Sequence, residues 1–457
     1  MGLVTHYDLA VIGTGSGNSI VDDAFADWRV AILEDNLFGG TCLNVGCIPT
    51  KMFVHPADLA RSAQHAPRLG VDTSYDGARW PEIRDRIFAR IDPIAAGGRD
   101  YREGLPNVDV YDRHATFVDD HTLDTGTGEQ ITADQIVIAA GSRVDVADIP
   151  GLDEVEFHTS DTVMRLAELP RRMAIVGGGY VAAEFAHVFS ALGTEVTQIQ
   201  RGPLLLREQD EDIARQFTTI AARQWDLRLD TTAAKVARRD DAVVLTLSDG
   251  SELETDVLLI ATGRVRNGDR LALENTTITH VDGKITVDEF QRTTAEGVWA
   301  LGDVSSDYEL KHVANLEARV VQHNLLHPDS LVASDHRFVP SAVFTSPQIA
   351  SVGLTSQAAR EQGIEHVVGI QDYADVAYGW AMESPRGEHF VKLVGDAAGE
   401  RILGAHIIGP EASMLLQPLV QGMSLGGSPR ELARGQYWIH PSLAEVVENA
   451  LLKLVTK

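Results

Sequence analysis

The chain has 457 residues, more than a single hydrophobic core usually serves, so about two to four domains are expected. Its 44% hydrophobic and 6% aromatic content is ordinary for a globular protein, while 66 acidic against 39 basic residues give a net charge of −27. Such a surface repels phosphate backbones and anionic membranes, and no apolar run is long enough to span a bilayer, which argues against nucleic-acid and membrane roles. Residues 8–12 already form a buried-strand pattern, and His6 breaks the acylation pattern that Gly2 could begin. A cytoplasmic protein without a signal peptide is therefore expected.

Residues 7–12 read as a strand running into Gly13-Thr14-Gly15-Ser16-Gly17-Asn18. A strand, a G-x-G turn and a helix let the backbone approach a pyrophosphate seated on the helix N-terminus. Residues 29–34 read as the second strand, and Glu34 at its end is placed to accept hydrogen bonds from a ribose. Asn18 stands where a third small residue is usual, so helix and strand should pack less closely there. Taken alone, the motif reads equally well as an ordinary glycine turn.

The only two cysteines follow in Gly39-Gly40-Thr41-Cys42-Leu43-Asn44-Val45-Gly46-Cys47-Ile48-Pro49-Thr50-Lys51, ahead of a helical run at 52–60. In a regular helix this spacing is a rise of about 7.5 Å. A disulfide tolerates no more than about 7 Å between Cα atoms. If the two are bridged, the first turn must be distorted, and a strained bridge is easier to reduce. Closing so short a loop also stabilises little, which suits a redox device better than a staple. Two thiols beside a glycine turn is the alternative.

A strand at 137–141 ends in Ala140 and Gly141. Residues 172–176 then lead into a full G-x-G-x-x-A turn, Gly177-Gly178-Gly179-Tyr180-Val181-Ala182, with a following strand at 194–199. At its end stand Gln200 and Arg201, with no carboxylate, and Arg207 lies close behind. A ribose-binding acid would repel a 2′-phosphate, whereas arginines bind one bidentately, so the second dinucleotide is expected to be NADPH. The alternative is that Arg201 and Arg207 are plain surface charges. A further strand ends at Gly263-Arg264, and 297–303 closes on Asp303. From Pro340 onward strand-like and helix-like runs alternate, an α+β pattern. Near the end, His440-Pro441 with Glu445 reads either as a capped helix start, with Pro441 as its first residue, or as an acid–base pair. Turn signals at 148–151 and 266–269 divide the chain into 1–147, 148–266, 267–338 and 339–457.

The order and spacing of these pieces resemble the flavin-dependent pyridine nucleotide-disulfide oxidoreductases, the family of glutathione reductase and dihydrolipoyl dehydrogenase, over nearly the whole chain. The resemblance implies an α/β fold with two Rossmann-like domains, for FAD and NADPH, a central segment completing the FAD site, and a C-terminal α+β dimerisation domain. It implies FAD contacts at Gly13, Gly15, Ser16, Glu34, Thr41, Lys51, Ala115, Ala140, Gly141, Asp303 and Ala314. NADPH contacts would fall at Gly177, Gly179, Tyr180, Glu184, Arg201, Arg207 and Gly263, with no metal. Cys47 would be the thiol beside the flavin, and Cys42 the interchange thiol that attacks a substrate disulfide. Lys51 would lie near the flavin, paired with Glu184, and Tyr180 would swing away for nicotinamide. His440, charged and oriented by Glu445, would reach the active site of the neighbouring subunit, making the protein an obligate homodimer.

Within the family, Gln200 and Arg201 count against dihydrolipoyl dehydrogenase, which carries a Glu there for NAD. The absence of cysteine after Cys47 counts against mercuric and large thioredoxin reductases. Glutathione reductases place an arginine pair in the first helix, where this chain has Val21-Asp22-Asp23, an acidic rim favouring a neutral or cationic disulfide. The combination of Gly13-Thr14-Gly15-Ser16-Gly17-Asn18, Ile48-Pro49-Thr50-Lys51, Lys311-His312-Val313-Ala314-Asn315 and Val446-Val447-Glu448-Asn449-Ala450 resembles the branch that reduces the disulfide of a cysteinyl pseudo-disaccharide, a sugar without carboxylates that is consistent with Asp22 and Asp23. A transhydrogenase or quinone reductase of the same fold, and a non-catalytic dinucleotide-binding protein, are the alternatives.

Overall fold

The computed structural model describes residues 4–455, so Gly2 lies outside it. The chain divides into two compact units, each assembled from three separate segments.

The first unit comprises Met1–Thr50, Glu82–Asp145 and Gly263–His336. Its sheet is built on the strand Thr5–Ile12, in which Leu9, Ala10 and Val11 are fully buried. Burial on both faces is the mark of a central parallel strand. It pairs in parallel with Val30–Leu33 and Gln130–Ile138. Sheet order is Val108–Tyr111, Val30–Leu33, Thr5–Ile12, Gln130–Ile138, Thr122–Asp124, Thr116–Asp119, with Val298–Ala300 also parallel to Gln130–Ile138. Alternate residues feed two cores: Ala10 and Ile12 pack with Ile136 and Ile138, whereas Leu9 and Val11 pack with Val137 and Val321.

One expectation fails in this unit. No α-helix follows the first glycine turn; the chain makes two short 3₁₀ turns, Gly17–Ser19 and Asp23–Phe25. Asn and Asp side chains that bond locally compete with helical hydrogen bonding. Here the buried Arg102 donates through Nε to Asn18 Oδ1 at 2.8 Å, and Asp22 accepts the Ala24 N–H at 2.9 Å, starting a fresh turn.

The second unit comprises Lys51–Pro81, Val146–Thr262 and Arg337–Lys457. It contains a parallel sheet ordered Asp226–Arg228, Glu195–Ile199, Arg172–Val176, Val257–Ile260, and an antiparallel meander of Ala233–Arg239, Ala242–Leu247 and Glu252–Thr255. The C-terminal segment forms a five-stranded antiparallel sheet ordered Pro340–Val343, Gln348–Gly353, Ile402–Gly409, Phe390–Asp396, His366–Asp372. Helix Ala444–Val455 covers it by burying Val446, Val447, Ala450, Leu451 and Leu454. Among the described residues no helix is long and apolar enough to cross a membrane.

Candidate functional site

The dithiol lies where one helix stops and another starts. Cys42 is in the short helix Gly40–Asn44, which Val45 ends at φ −142°, ψ 13°, and Cys47 opens the long helix Cys47–His65. The distortion expected of the first turn is thus a complete break. Gly46 permits it, because a Cβ there would stand 2.9 Å from the Thr41 carbonyl oxygen. The fold-back brings the Cys42 sulfur to the Cys47 thiol and to the N–H groups of Cys47 and Ile48. The Cys47 hydrogen bond is the main influence that lowers the Cys42 thiol to about 7; burial opposes it, and the Lys311 charge and the two N–H groups act with it. A sulfur at the N-terminus of a helix has the surroundings of a reactive thiolate. Cys42 is half-buried and Cys47 exposed.

Around the first glycine turn the backbone is bare. A Cβ on Gly13, at φ +99°, would lie 2.4 Å from the Ala139 carbonyl oxygen, and one on Gly40 would lie 2.8 Å from Gly15 Cα. Glu34 Oε2 accepts the Thr14 N–H at 2.8 Å and its hydroxyl at 2.7 Å, while Oε1 accepts the Asn36 N–H at 3.0 Å. A carboxylate has about four acceptor positions, so Glu34 fixes the turn and keeps capacity for a ribose. Buried Ser16 receives Lys311 Nζ at 2.9 Å and donates to Asn315 Oδ1 at 3.1 Å. Asp303 sits in a 3₁₀ turn, Gly302–Val304, and accepts from Ser142 Oγ at 2.7 Å; Arg264 Nε donates to the same hydroxyl at 2.7 Å. The Ala140 carbonyl accepts from Asn267 at 2.8 Å, and Gly141 adopts φ +65°. Ala314 packs close to Gly302, and Ala115 is a core residue in this unit. Thr41 is exposed beside Cys42. Side-chain-free backbone, a ribose acceptor and Asp303 together fit FAD.

In the second unit Gly177, at φ +140°, would carry a Cβ 2.1 Å from the Ala261 carbonyl oxygen. Gly178 is roofed by Gln200, whose Nε2 donates to the Leu204 carbonyl at 3.1 Å, so Gln200 is turned inward. Gly179 caps the helix Tyr180–Ala191, leaving Tyr180 exposed at an N-terminus suited to a pyrophosphate. Arg201 is exposed and, among the described residues, makes no ion pair; Arg207 pairs at 3.0 Å with equally exposed Glu208, a contact worth little. Gly263 belongs to the first unit, where its carbonyl accepts the Asp145 N–H at 2.9 Å.

Lys51 and Glu184 meet through a third residue. Glu184 Oε1 accepts the Phe344 N–H at 2.8 Å, and Lys51 Nζ lies 3.9 Å from the centre of the Phe344 ring. Among the described residues the two form no direct ion pair. Burial pushes the Glu184 carboxyl up to about 7 against the opposing Phe344 N–H and Lys51 charge. Lys51, open to solvent on one side, is lowered by burial, with Asp58 and Glu184 opposing.

His440 Nδ1 and Glu445 Oε1 are 2.7 Å apart, with His440 exposed and Glu445 largely covered. Pro441 is not a first helical residue; the helix begins at Ala444 and places Glu445 in its first turn. There Glu445 accepts the Ser442 N–H at 3.2 Å, and the His440 hydrogen bond holds its carboxyl below the usual range. Asp22 and Asp23 are both exposed on their 3₁₀ turn. Lys311 is the functional candidate that residue-by-residue reading passed over; its position in the 311–315 motif was the available signal.

The fold and these sites define a two-nucleotide flavoenzyme with a dithiol. Residues 7–318 match the family described as pyridine nucleotide-disulphide oxidoreductase, and residues 339–451 match its dimerisation domain. The chain belongs to this family and is an FAD-dependent NAD(P)H:disulfide oxidoreductase that forms a homodimer through that domain. A protein named mycothione reductase from Mycobacterium tuberculosis is 55% identical across 98% of this chain and 99% of its own. Dihydrolipoyl dehydrogenase of Bacillus subtilis is 30% identical, covering 98% of each. The HOCl-induced flavoprotein disulfide reductase RclA from Escherichia coli superposes with a TM-score of 0.85 at 30% identity, covering 98% of this chain and 99% of that one.

Proposed function

We propose that this enzyme reduces mycothione, the disulfide of mycothiol, with NADPH, through Cys42 and Cys47 and a His440–Glu445 pair supplied by the partner subunit. The observation that carries the chemistry is the Cys42 sulfur hydrogen-bonded to the Cys47 thiol at the start of the helix Cys47–His65, which with the neighbouring N–H groups lowers the Cys42 thiol to about 7. The substrate rests on the 55% identity to mycothione reductase and on the exposed Asp22 and Asp23, which disfavour a carboxylate-bearing peptide disulfide. Bound FAD, held by Gly13, Gly15, Ser16, Glu34 and Asp303, supplies a two-electron relay between nicotinamide and the sulfur pair.

The thiol chemistry follows from the chain's own groups. Cys42 thiolate attacks one substrate sulfur, breaking the substrate S–S bond and releasing one thiolate, which takes a proton from His440. Cys47 thiolate then attacks the Cys42 sulfur of the mixed disulfide, closing Cys42–Cys47 and releasing the second thiolate, which takes its proton from solvent. Glu445, 2.7 Å from His440 Nδ1, fixes the ring and leaves Nε2 to serve the leaving sulfur. The parts 1–147, 148–266, 267–338 and 339–457 then serve FAD, NADPH, completion of the FAD site and dimerisation. A single pair of cysteines is no secreted-type framework, which supports a cytoplasmic setting for the reaction.

The test is NADPH oxidation by the purified protein offered mycothiol disulfide, glutathione disulfide and lipoamide side by side. Selective turnover of the first is expected. Preference for either of the others overturns the substrate and leaves the dithiol chemistry standing.

A further inference from the structure

We propose that Lys311 is a positioning residue for the dithiol: its ammonium, anchored on Ser16 at the first glycine turn, stabilises the thiolate of Cys42. The inference rests on the reading of Cys42 as the interchange thiol.

Lys311 is the first residue of the helix Lys311–Leu326 and is half-buried. Its Nζ donates to Ser16 Oγ at 2.9 Å, and Asn315, one turn along the same helix, accepts from that hydroxyl at 3.1 Å. Ser16 and Asn315 are neutral, and among the described residues no carboxylate pairs with Lys311. A partly desolvated ammonium with only neutral partners favours an anion brought into its surroundings.

Backbone contact makes the Cys42 thiolate one such anion. Gly40, in the same short helix as Cys42, lies so close to Gly15 that a Cβ would meet its Cα at 2.8 Å, and the Gly39 N–H donates to the Thr14 carbonyl at 3.2 Å. Ser16 and Cys42 therefore hang from two backbone segments in direct contact. The titratable and charged groups that act most strongly on Cys42 are Cys47, from the helix Cys47–His65, and Lys311, from the helix Lys311–Leu326; the N–H groups of Cys47 and Ile48 add to them. The Cys47 hydrogen bond is foremost and burial opposes it, and Lys311 adds a full positive charge that favours the thiolate. Chemically this raises the fraction of attacking thiolate at neutral pH and eases departure of Cys42 as thiolate when two electrons cleave Cys42–Cys47.

Reduced holoenzyme would be alkylated with iodoacetamide across a pH range, Cys42 being read by peptide mass spectrometry, in wild type, Lys311→Met and Lys311→Arg. Wild type and Lys311→Arg should show a midpoint near the value of about 7. Lys311→Met should shift upward, slowing Cys42 alkylation at neutral pH by about three- to tenfold. An unmoved midpoint in flavin-loaded Lys311→Met overturns the proposal, as does an equal shift in both variants. A Lys311→Met protein that no longer holds flavin overturns it too, because the charge then serves the cofactor. Turnover by Cys42→Ser would defeat the interchange-thiol reading instead, and the alkylation midpoint would still report what Lys311 does to Cys42.

Discussion

Gly40→Ala tests the contact on which the redox segment rests. Gly40 is at φ +63°, a left-handed conformation that costs a residue bearing Cβ about 1–2 kcal/mol. The new Cβ would also lie 2.8 Å from Gly15 Cα and 3.3 Å from Gly15 N, backbone atoms that cannot rotate aside. Overpacking of that kind costs about 1–3 kcal/mol, giving about 2–5 kcal/mol in all. Gly128 is the internal control: it sits in the same unit at φ +88° with nothing within 4 Å of a Cβ, so Gly128→Ala carries only the conformational cost. The difference, about 1–3 kcal/mol, isolates the Gly15–Gly40 approach. It should appear as a lower thermal midpoint and as flavin lost on gel filtration, measured by the flavin-to-protein absorbance ratio. A Gly40→Ala enzyme that matches Gly128→Ala in both readouts refutes the reasoning.

Four further outcomes are expected. The Cys42 thiol titrates at about 7, below an ordinary thiol, so its alkylation should persist at neutral pH and fall away as pH drops below that value. By the same sign, whatever stability this group contributes is complete above the ordinary thiol value and lost as pH falls through about 7. Glu184 is raised from 4.5 to about 7, so the fold carries a growing penalty as pH rises through that window; Glu184→Gln should raise the thermal midpoint above the window and leave it unchanged below, and equal effects at both ends would refute burial as the cause. His440→Ala should still be reduced by NADPH in a stopped-flow experiment yet fail to pass electrons to disulfide; loss of flavin reduction itself would mean that His440 acts elsewhere. Arg201→Ala should raise KM for NADPH by about tenfold and leave NADH kinetics unchanged, since an arginine–phosphate contact is charge-assisted; an equal change for both nucleotides would make Arg201 a plain surface charge.

Strands and their glycine turns were legible because they are local. Four buried apolar residues ending in glycine can be read at 9–13 and at 173–177 without knowing any neighbour, and the strands Thr5–Ile12 and Arg172–Val176 lie there. Two local readings failed, and each for a reason outside its own window. A helix after Gly17 is the ordinary continuation of such a turn, but Arg102, distant in sequence, engages Asn18, while Asp22 caps a new turn. Pro441 suits a helix start, yet the helix begins at Ala444, where Glu445 bonds both His440 and the Ser442 N–H.

The amino-acid sequence by itself determined the chemistry available: two cysteines in one glycine-bounded segment, two nucleotide turns, a carboxylate after one second strand and arginine after the other, and a His–Glu pair near the end. Those are covalent facts of residue type and spacing. Tertiary structure decided what each group faces. Ser16 meets Lys311 across 295 positions, Ser142 meets Asp303 across 161, and Glu184 meets the Phe344 N–H across 160. The tuning of Cys42 follows from a helix break at Val45 and from Gly46 lying against Thr41. Backbone dihedral preference is encoded residue by residue, whereas the electric environment of a sulfur or carboxylate depends on which distant segments pack around it.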